Sequence, residues 1–325
     1  MKPYTQRLVR LGAWVVALAI LVYLFSRIPL REVAASLGNA APWTVPVLIL
    51  MVLAVYAADA FAAWKTFSWF AAPMSYREAL TVRGASYILA LVNYAVGQGA
   101  FAYFLHKTKR VPLLRTGATV LLIMGTNLLL LLFAATAGLA VANDVPAAAS
   151  GTLATARMLA WAGYGGLAIY IALVLSKPRF LARHPVFEVL FSAGVKGHAK
   201  ALLARMPHIA SLLLFAYLYL YAFDVKVPPL QALLFLPISF LVAAIPLPGQ
   251  GLGTVQAVMV AVFAPYGPGD GSHAEAAVFA ASLTSWVLGV AIQMIIGLAC
   301  LRSQLAQVLT AQAGDGSPSP PSASS

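Results

Sequence analysis

Apolar residues run along this chain in blocks of roughly bilayer length, parted by short polar or Gly/Pro-rich breaks. A helix rises about 1.5 Å per residue and needs about 20 apolar residues to cross the hydrocarbon. Six blocks read as spans: 11–25, 44–64, 116–140, 153–175, 207–223 and 274–301. Two more, 84–105 and 230–264, are apolar but interrupted. The first carries Leu91-Val-Asn-Tyr-Ala-Val-Gly-Gln-Gly-Ala100 and the second Ile245-Pro-Leu-Pro-Gly-Gln-Gly-Leu-Gly-Thr-Val-Gln256. Proline removes a backbone donor and glycine loosens the chain, so a helix is expected to break in each. The triplet Gly97-Gln98-Gly99 recurs 152 residues later as Gly249-Gln250-Gly251. Half-length pieces suit re-entrant hairpins better than crossings. The expected fold is therefore all-α: a polytopic integral membrane protein with six spanning helices and two re-entrant helical hairpins.

Composition agrees. Of 325 residues, 62% are hydrophobic and 9% charged, against roughly a quarter charged in soluble domains. The net charge of +12 does not point to nucleic acid, because the basic residues flank apolar runs instead of gathering in one patch. Lys2, Arg7 and Arg10 precede the first apolar run, as in a signal peptide, but Arg27 and Arg31 directly after it favour an uncleaved anchor. One cysteine, Cys300, excludes an internal disulfide. The tail after residue 304 is low in complexity and expected to be disordered.

Charge placement tests the hairpins. If both interrupted blocks return to the side they came from, 17 of the Lys and Arg residues fall on one face and 4 on the other. The positive-inside rule makes the richer face, with both termini, cytoplasmic, as in a bacterial inner membrane. If 84–105 crossed instead, Arg77 and Arg83 would lie opposite Lys107–Arg115, against that rule. The units 44–140 and 207–301 then run in opposite senses, an inverted repeat of the kind found in secondary transporters. The block 153–175 joins them, and 1–304 forms a single membrane domain.

The second interrupted block resembles the Pro-Gly-Gly-Leu-Gly-x-x-Glu signature of the flippase-like membrane family that includes the transmembrane region of lysylphosphatidylglycerol synthases. Pro248, Gly249, Gly251, Leu252 and Gly253 match it, with Gln250 as an insertion and Gln256 where the family has Glu. The resemblance implies translocation of a lipid or lipid-linked group.

Irregular backbone at membrane depth survives only inside protein or beside a wet cavity. Helix starts expected near Ala100 and Gly253 would present free N–H groups to an anion such as a lipid phosphate. The candidate substrate-binding residues are Asp59, Arg83, Asn93, Gly97, Gln98, Gly99, Arg110, Pro246, Pro248, Gly249, Gln250, Gly251, Gly253 and Gln256. Each has a plainer reading. The glycines serve close helix packing as readily as a hairpin tip. Asp59 is either functional or an interfacial carboxylate beside Lys65. Asn93, Asn127 and Gln293 line a cavity or bond neighbouring helices. Arg83 and Arg110, with Lys107 and Lys109, gather anionic headgroups or mark topology.

No catalytic constellation, cofactor motif or metal-ligand spacing stands out. The expected partners are membrane lipids with anionic headgroups, and the expected function is movement of such a lipid between leaflets. A small-solute transporter and a non-transporting subunit of an envelope-synthesis complex are the alternatives.

Overall fold

The computed structural model describes residues 30–91, 94–141, 150–243 and 252–315. Their regular structure is helical throughout: α1 (Leu30–Gly38), α2 (Thr44–Phe70), α3 (Tyr76–Ala90), α4 (Tyr94–Lys109), α5 (Leu113–Val141), α6 (Ser150–Ser176), α7 (Arg179–Ala182), α8 (Glu188–Ala222), α9 (Pro229–Ala243), α10 (Thr254–Phe263) and α11 (Ser272–Asp315). A single 3-10 turn, Ala264–Tyr266, follows α10. Five segments are long and apolar enough to cross a membrane: Thr44–Phe70, Leu113–Val141, Ala156–Ser176, Glu188–Ala222 and Ser272–Gln304. The expected span at 11–25 lies outside the described residues.

Three expected boundaries are corrected. The span expected at 207–223 starts far earlier: α8 begins at Glu188 and runs through Pro207 to Ala222, bent at Gly194 (φ 56°, ψ −176°). Proline inside a helix forfeits one hydrogen bond, a loss that packed neighbours offset in membrane helices. Residues 305–315 continue α11 as helix where a disordered tail was expected. The polar stretch before the first interrupted block belongs to α3, which starts at Tyr76 through a capping box: Ser75 Oγ accepts from Glu78 N–H (3.2 Å) and Glu78 Oε2 accepts from Ser75 N–H (2.6 Å).

α3 and α4 fold back on each other. Their open ends are tied by Lys109 Nζ to Glu78 Oε1 at 2.6 Å. At the other end a Cβ on Gly97 would lie 2.4 Å from that of Ala90. With 15 and 16 residues, each helix is about 22–24 Å long, short of the roughly 30 Å hydrocarbon. α3 ends at Ala90 and α4 starts at Tyr94, so the Gly-Gln-Gly triplet lies inside α4; the expected helix start near Ala100 is therefore six residues late. Asn93 itself lies outside the described residues.

The two glycines of the triplet differ. Gly97 meets Ala90, whereas a Cβ on Gly99 would meet nothing within 4 Å. Gly97→Ala is expected to cost about 1–3 kcal/mol through overpacking, and Gly99→Ala to be neutral or slightly stabilising through helix propensity. Thermal midpoints of the detergent-solubilised variants check the contrast; equal shifts would remove the Ala90 contact as the reason.

The tie at the open end is pH-sensitive. Burial raises the Glu78 carboxyl, but hydrogen bonds with Lys109 and Ser75 outweigh it and hold the group below the usual carboxylate range. A carboxyl so lowered contributes stability that is complete above its unfolded value and lost as pH falls through the folded one. Both side chains are partly exposed, so the effect is small. Glu78→Gln is expected to flatten the acid limb of the thermal midpoint against pH.

α9 and α10 return in the same manner. The backbone N–H of Lys226, before α9, donates to the carbonyl of Tyr266, after α10, at 3.0 Å. Within the pair Phe235 meets Phe263 edge-on at 6.3 Å. α10 starts at Thr254 with Gly253 as its N-cap at φ 84°, a conformation that favours glycine.

The helices pack in reciprocal fashion. α2 lies along α8, α3 along α11, and α9 along α5. Glycines set the last two distances. Gly84 and Gly297 admit Cys300 and Ile88 between α3 and α11, and Gly138 admits the backbone of Leu234 on α9. One core gathers Leu220, Leu234, Phe235, Phe263 and Phe279; a second gathers Phe67, Ala79, Phe101 and Phe104. α6 stands apart, with 6% of its apolar window buried against 44% for α5.

Candidate functional site: a buried arginine–aspartate cluster

Where α2, α3, α5 and α8 meet, charged side chains are enclosed by apolar helices. Asp59 is 2% exposed, Arg83 6% and Arg205 3%. Tyrosines on both sides set the register of α2 against α3: Tyr56 donates to the carbonyl of Leu80 (2.7 Å) and Tyr76 to that of Ala57 (2.9 Å). Asp59 is thereby brought level with Arg83. Its Oδ2 accepts from Arg83 Nε and from the Tyr87 hydroxyl (3.1 Å). Its Oδ1 accepts from Arg205 Nη1.

Arg205 is fixed from two directions. Its Nε and Nη2 donate to Asn127 Oδ1 at 3.1 and 3.0 Å. One turn on, His208 is buried with Nδ1 3.3 Å from the carbonyl of Val55; since a carbonyl only accepts, Nδ1 carries the proton. Arg83 Nη1 donates to Gln98 Oε1 at 3.2 Å, and its guanidinium lies 5.2 Å from the Phe101 ring centre and 5.6 Å from that of Tyr87. Among the described residues Arg83 Nη2 has no hydrogen-bond partner.

Two guanidiniums face one carboxylate. A guanidinium keeps its charge in any protein environment, so the ion-paired centre carries an excess of one positive charge. Asn127 is the middle residue of α5 (Leu113–Val141), which puts the Arg205 end of the cluster near the middle of a span. Ionisable groups at that depth are expensive and mark substrate or ion pathways.

Of the two readings of Asp59, the pairing with Lys65 is not the one the structure shows. Lys65 Nζ lies over the Trp64 ring at 4.0 Å, while Asp59 is held by two arginines. Arg83 lies buried against Asp59 and not at an exposed hairpin mouth. Arg205, which lies between two expected spans, is buried within α8.

Of the other candidates, Gln98 joins the cluster. Gly97 packs on Ala90, and Gly99 is exposed. Arg110 is exposed and left-handed (φ 55°) at the end of α4. Gly253 and Gln256 cap α10: Gln256 is fully buried, its Oε1 accepts from Gly253 N–H at 2.7 Å, and its Nε2 is unpartnered. Pro246, Pro248, Gly249, Gln250 and Gly251 lie outside the described residues, as does Asn93.

Sequence reasoning missed Arg205, Tyr87 and His208. Tyr87 follows Arg83 by one helical turn, a same-face spacing that was available. Arg205 was hidden among five other basic residues. Of the two readings of Asn127, the bond to a neighbouring helix is the one seen, with Arg205 as its partner.

Long apolar helices around a buried charged centre define a polytopic integral membrane protein. The family model for the lysylphosphatidylglycerol synthase TM region matches residues 10–297, and the chain belongs to that family. That membership ties it to a membrane-lipid-related role. A comparison with curated proteins found no match.

Proposed function

We propose that this protein moves an anionic phospholipid or lipid-linked headgroup between leaflets, with no catalytic step of its own. The observation that carries this reading is the excess positive charge of the Asp59–Arg83–Arg205 centre, with Arg83 Nη2 left to meet an anion. Two re-entrant helix pairs in an inverted repeat are the architecture that fits. Supporting it, each pair is tied shut at its open end. The packing also maps onto itself when α2, α3 and α5 are exchanged with α8, α9 and α11. A cavity of about 450 Å³ lined by Leu128, Leu132, Leu159 and Ile238 gives acyl chains an apolar place beside α5; Leu128 and Leu159 on its wall are exposed at the outer surface. The charge distribution supports cytoplasmic termini, an orientation that suits a bacterial inner membrane.

The test is reconstitution into vesicles with a fluorescent headgroup-labelled lipid and a membrane-impermeant quencher. Faster loss of the protected signal is expected for labelled phosphatidylglycerol than for labelled phosphatidylcholine. No acceleration for any anionic lipid would defeat the reading.

A further inference from the structure

At one end of the bundle α2 finishes in Trp69 and Phe70, and α8 passes them carrying Lys196 and Lys200. Four residues apart on one helix, the two lysines share a face. Between them and the aromatic pair lies a cavity of about 290 Å³, completed by Ser192, Ala193 and Gly197. Its floor is a tight contact: a Cβ on Gly197 would lie 3.0 Å from the Phe70 ring. Behind it, Arg115 on α5 holds the end of α2, its Nε donating to the Phe70 carbonyl at 3.2 Å.

Both lysines are exposed, and no carboxylate answers them. The ion pairs among the described residues use Asp59, Glu78 and Asp224. The one acidic residue of α8, Glu188, lies eight residues before Lys196 and beyond the bend at Gly194. Two lysines on the wall of a small polar hollow, beside a half-exposed tryptophan (Trp69, 45%) at the end of a span, match the chemistry of the headgroup layer. Tryptophan settles there, and an ammonium binds phosphate as a compact point charge.

We propose that this cavity seats the phosphate of an anionic membrane lipid, whose acyl chains remain in the bilayer beside Trp69. Lys196 and Lys200 supply the charge, Phe70 and Gly197 the floor. None of these residues belongs to the buried cluster. The site shares with the proposed function only the class of ligand. A chain that binds lipid here yet moves none between leaflets would defeat that function and leave this site standing.

Native mass spectrometry of the intact detergent-solubilised protein tests it, with added dioctanoyl phosphatidylglycerol, dioctanoyl phosphatidylcholine or glycerol 3-phosphate. The phosphatidylglycerol adduct is expected to weaken roughly thirtyfold in the Lys196→Gln/Lys200→Gln double variant, counting two surface cations. It should be unchanged in Lys226→Gln. Ser192→Trp fills the cavity without altering charge and is expected to reduce the adduct as well; circular dichroism confirms that each variant is folded. Undiminished binding by the folded double variant would overturn the proposal. So would equal binding of phosphatidylcholine, or displacement by glycerol 3-phosphate at matched concentration, which would assign the hollow to a free phosphate ester.

Discussion

Asp59→Ala is expected to cost about 3–5 kcal/mol of folded-state stability, the range for stripping one partner from a buried ion pair. Here the loss is compounded, because both Arg83 and Arg205 lean on the one carboxylate. Two guanidiniums would remain enclosed with no counter-charge, and neither can deprotonate to relieve the strain. Asp59→Asn keeps the shape and removes the charge, so it should fall close to alanine. Asp59→Glu keeps the charge on a longer stem and should recover part of the loss. Yield of monodisperse protein and the thermal midpoint in detergent read the series. An alanine variant as stable as the parent would mean that the carboxylate does not hold these helices together.

Arg83→Gln is expected to do the opposite: to spare the fold and abolish most movement of anionic lipid. Removing this arginine leaves Asp59 with Arg205, one charge of each sign, and Arg205 keeps its two bonds to Asn127. The centre becomes neutral, so its attraction for an anion goes. A hydrogen bond to a charged group is worth about 1.5–3 kcal/mol, so transport in the vesicle assay should drop roughly 10- to 100-fold. Arg83→Lys restores charge without the planar fork and should lie between. A folded Arg83→Gln protein moving phosphatidylglycerol at the parent rate would remove the cluster from the substrate path. Together the variants exploit a simple count: losing the acid leaves a net charge of two positive at the centre, and losing this base leaves a net charge of zero.

Gln256 carries the family motif in altered form, with an amide where the resembled signature has a carboxylate. Its Oε1 takes up the N–H of Gly253, a service a carboxylate oxygen performs equally well. The substitution therefore preserves the start of α10 while removing a charge from a fully buried position.

The membrane class, the helical fold and five of the spans were readable from the chain, because a bilayer imposes one length and one polarity on anything that crosses it. The interruption of the blocks 84–105 and 230–264 was readable too, though in the first the Gly-Gln-Gly triplet taken as its cause sits within helix α4. So was the oddity of Asp59, an acid in an apolar run. The Ser75–Glu78 capping box stood in the sequence as well and would have started α3 in the right place. What the linear order concealed was pairing. Arg205 lies 146 positions from Asp59 amid a basic stretch, and its charge pattern is that of any topology signal. Whether a basic residue faces the headgroups or the interior depends on which helix lies against it, and that is settled only when α8 packs along α2. The placement of Gly97 against Ala90 and of Lys196 beside Trp69 is likewise a matter of contact between distant segments, which no local pattern encodes.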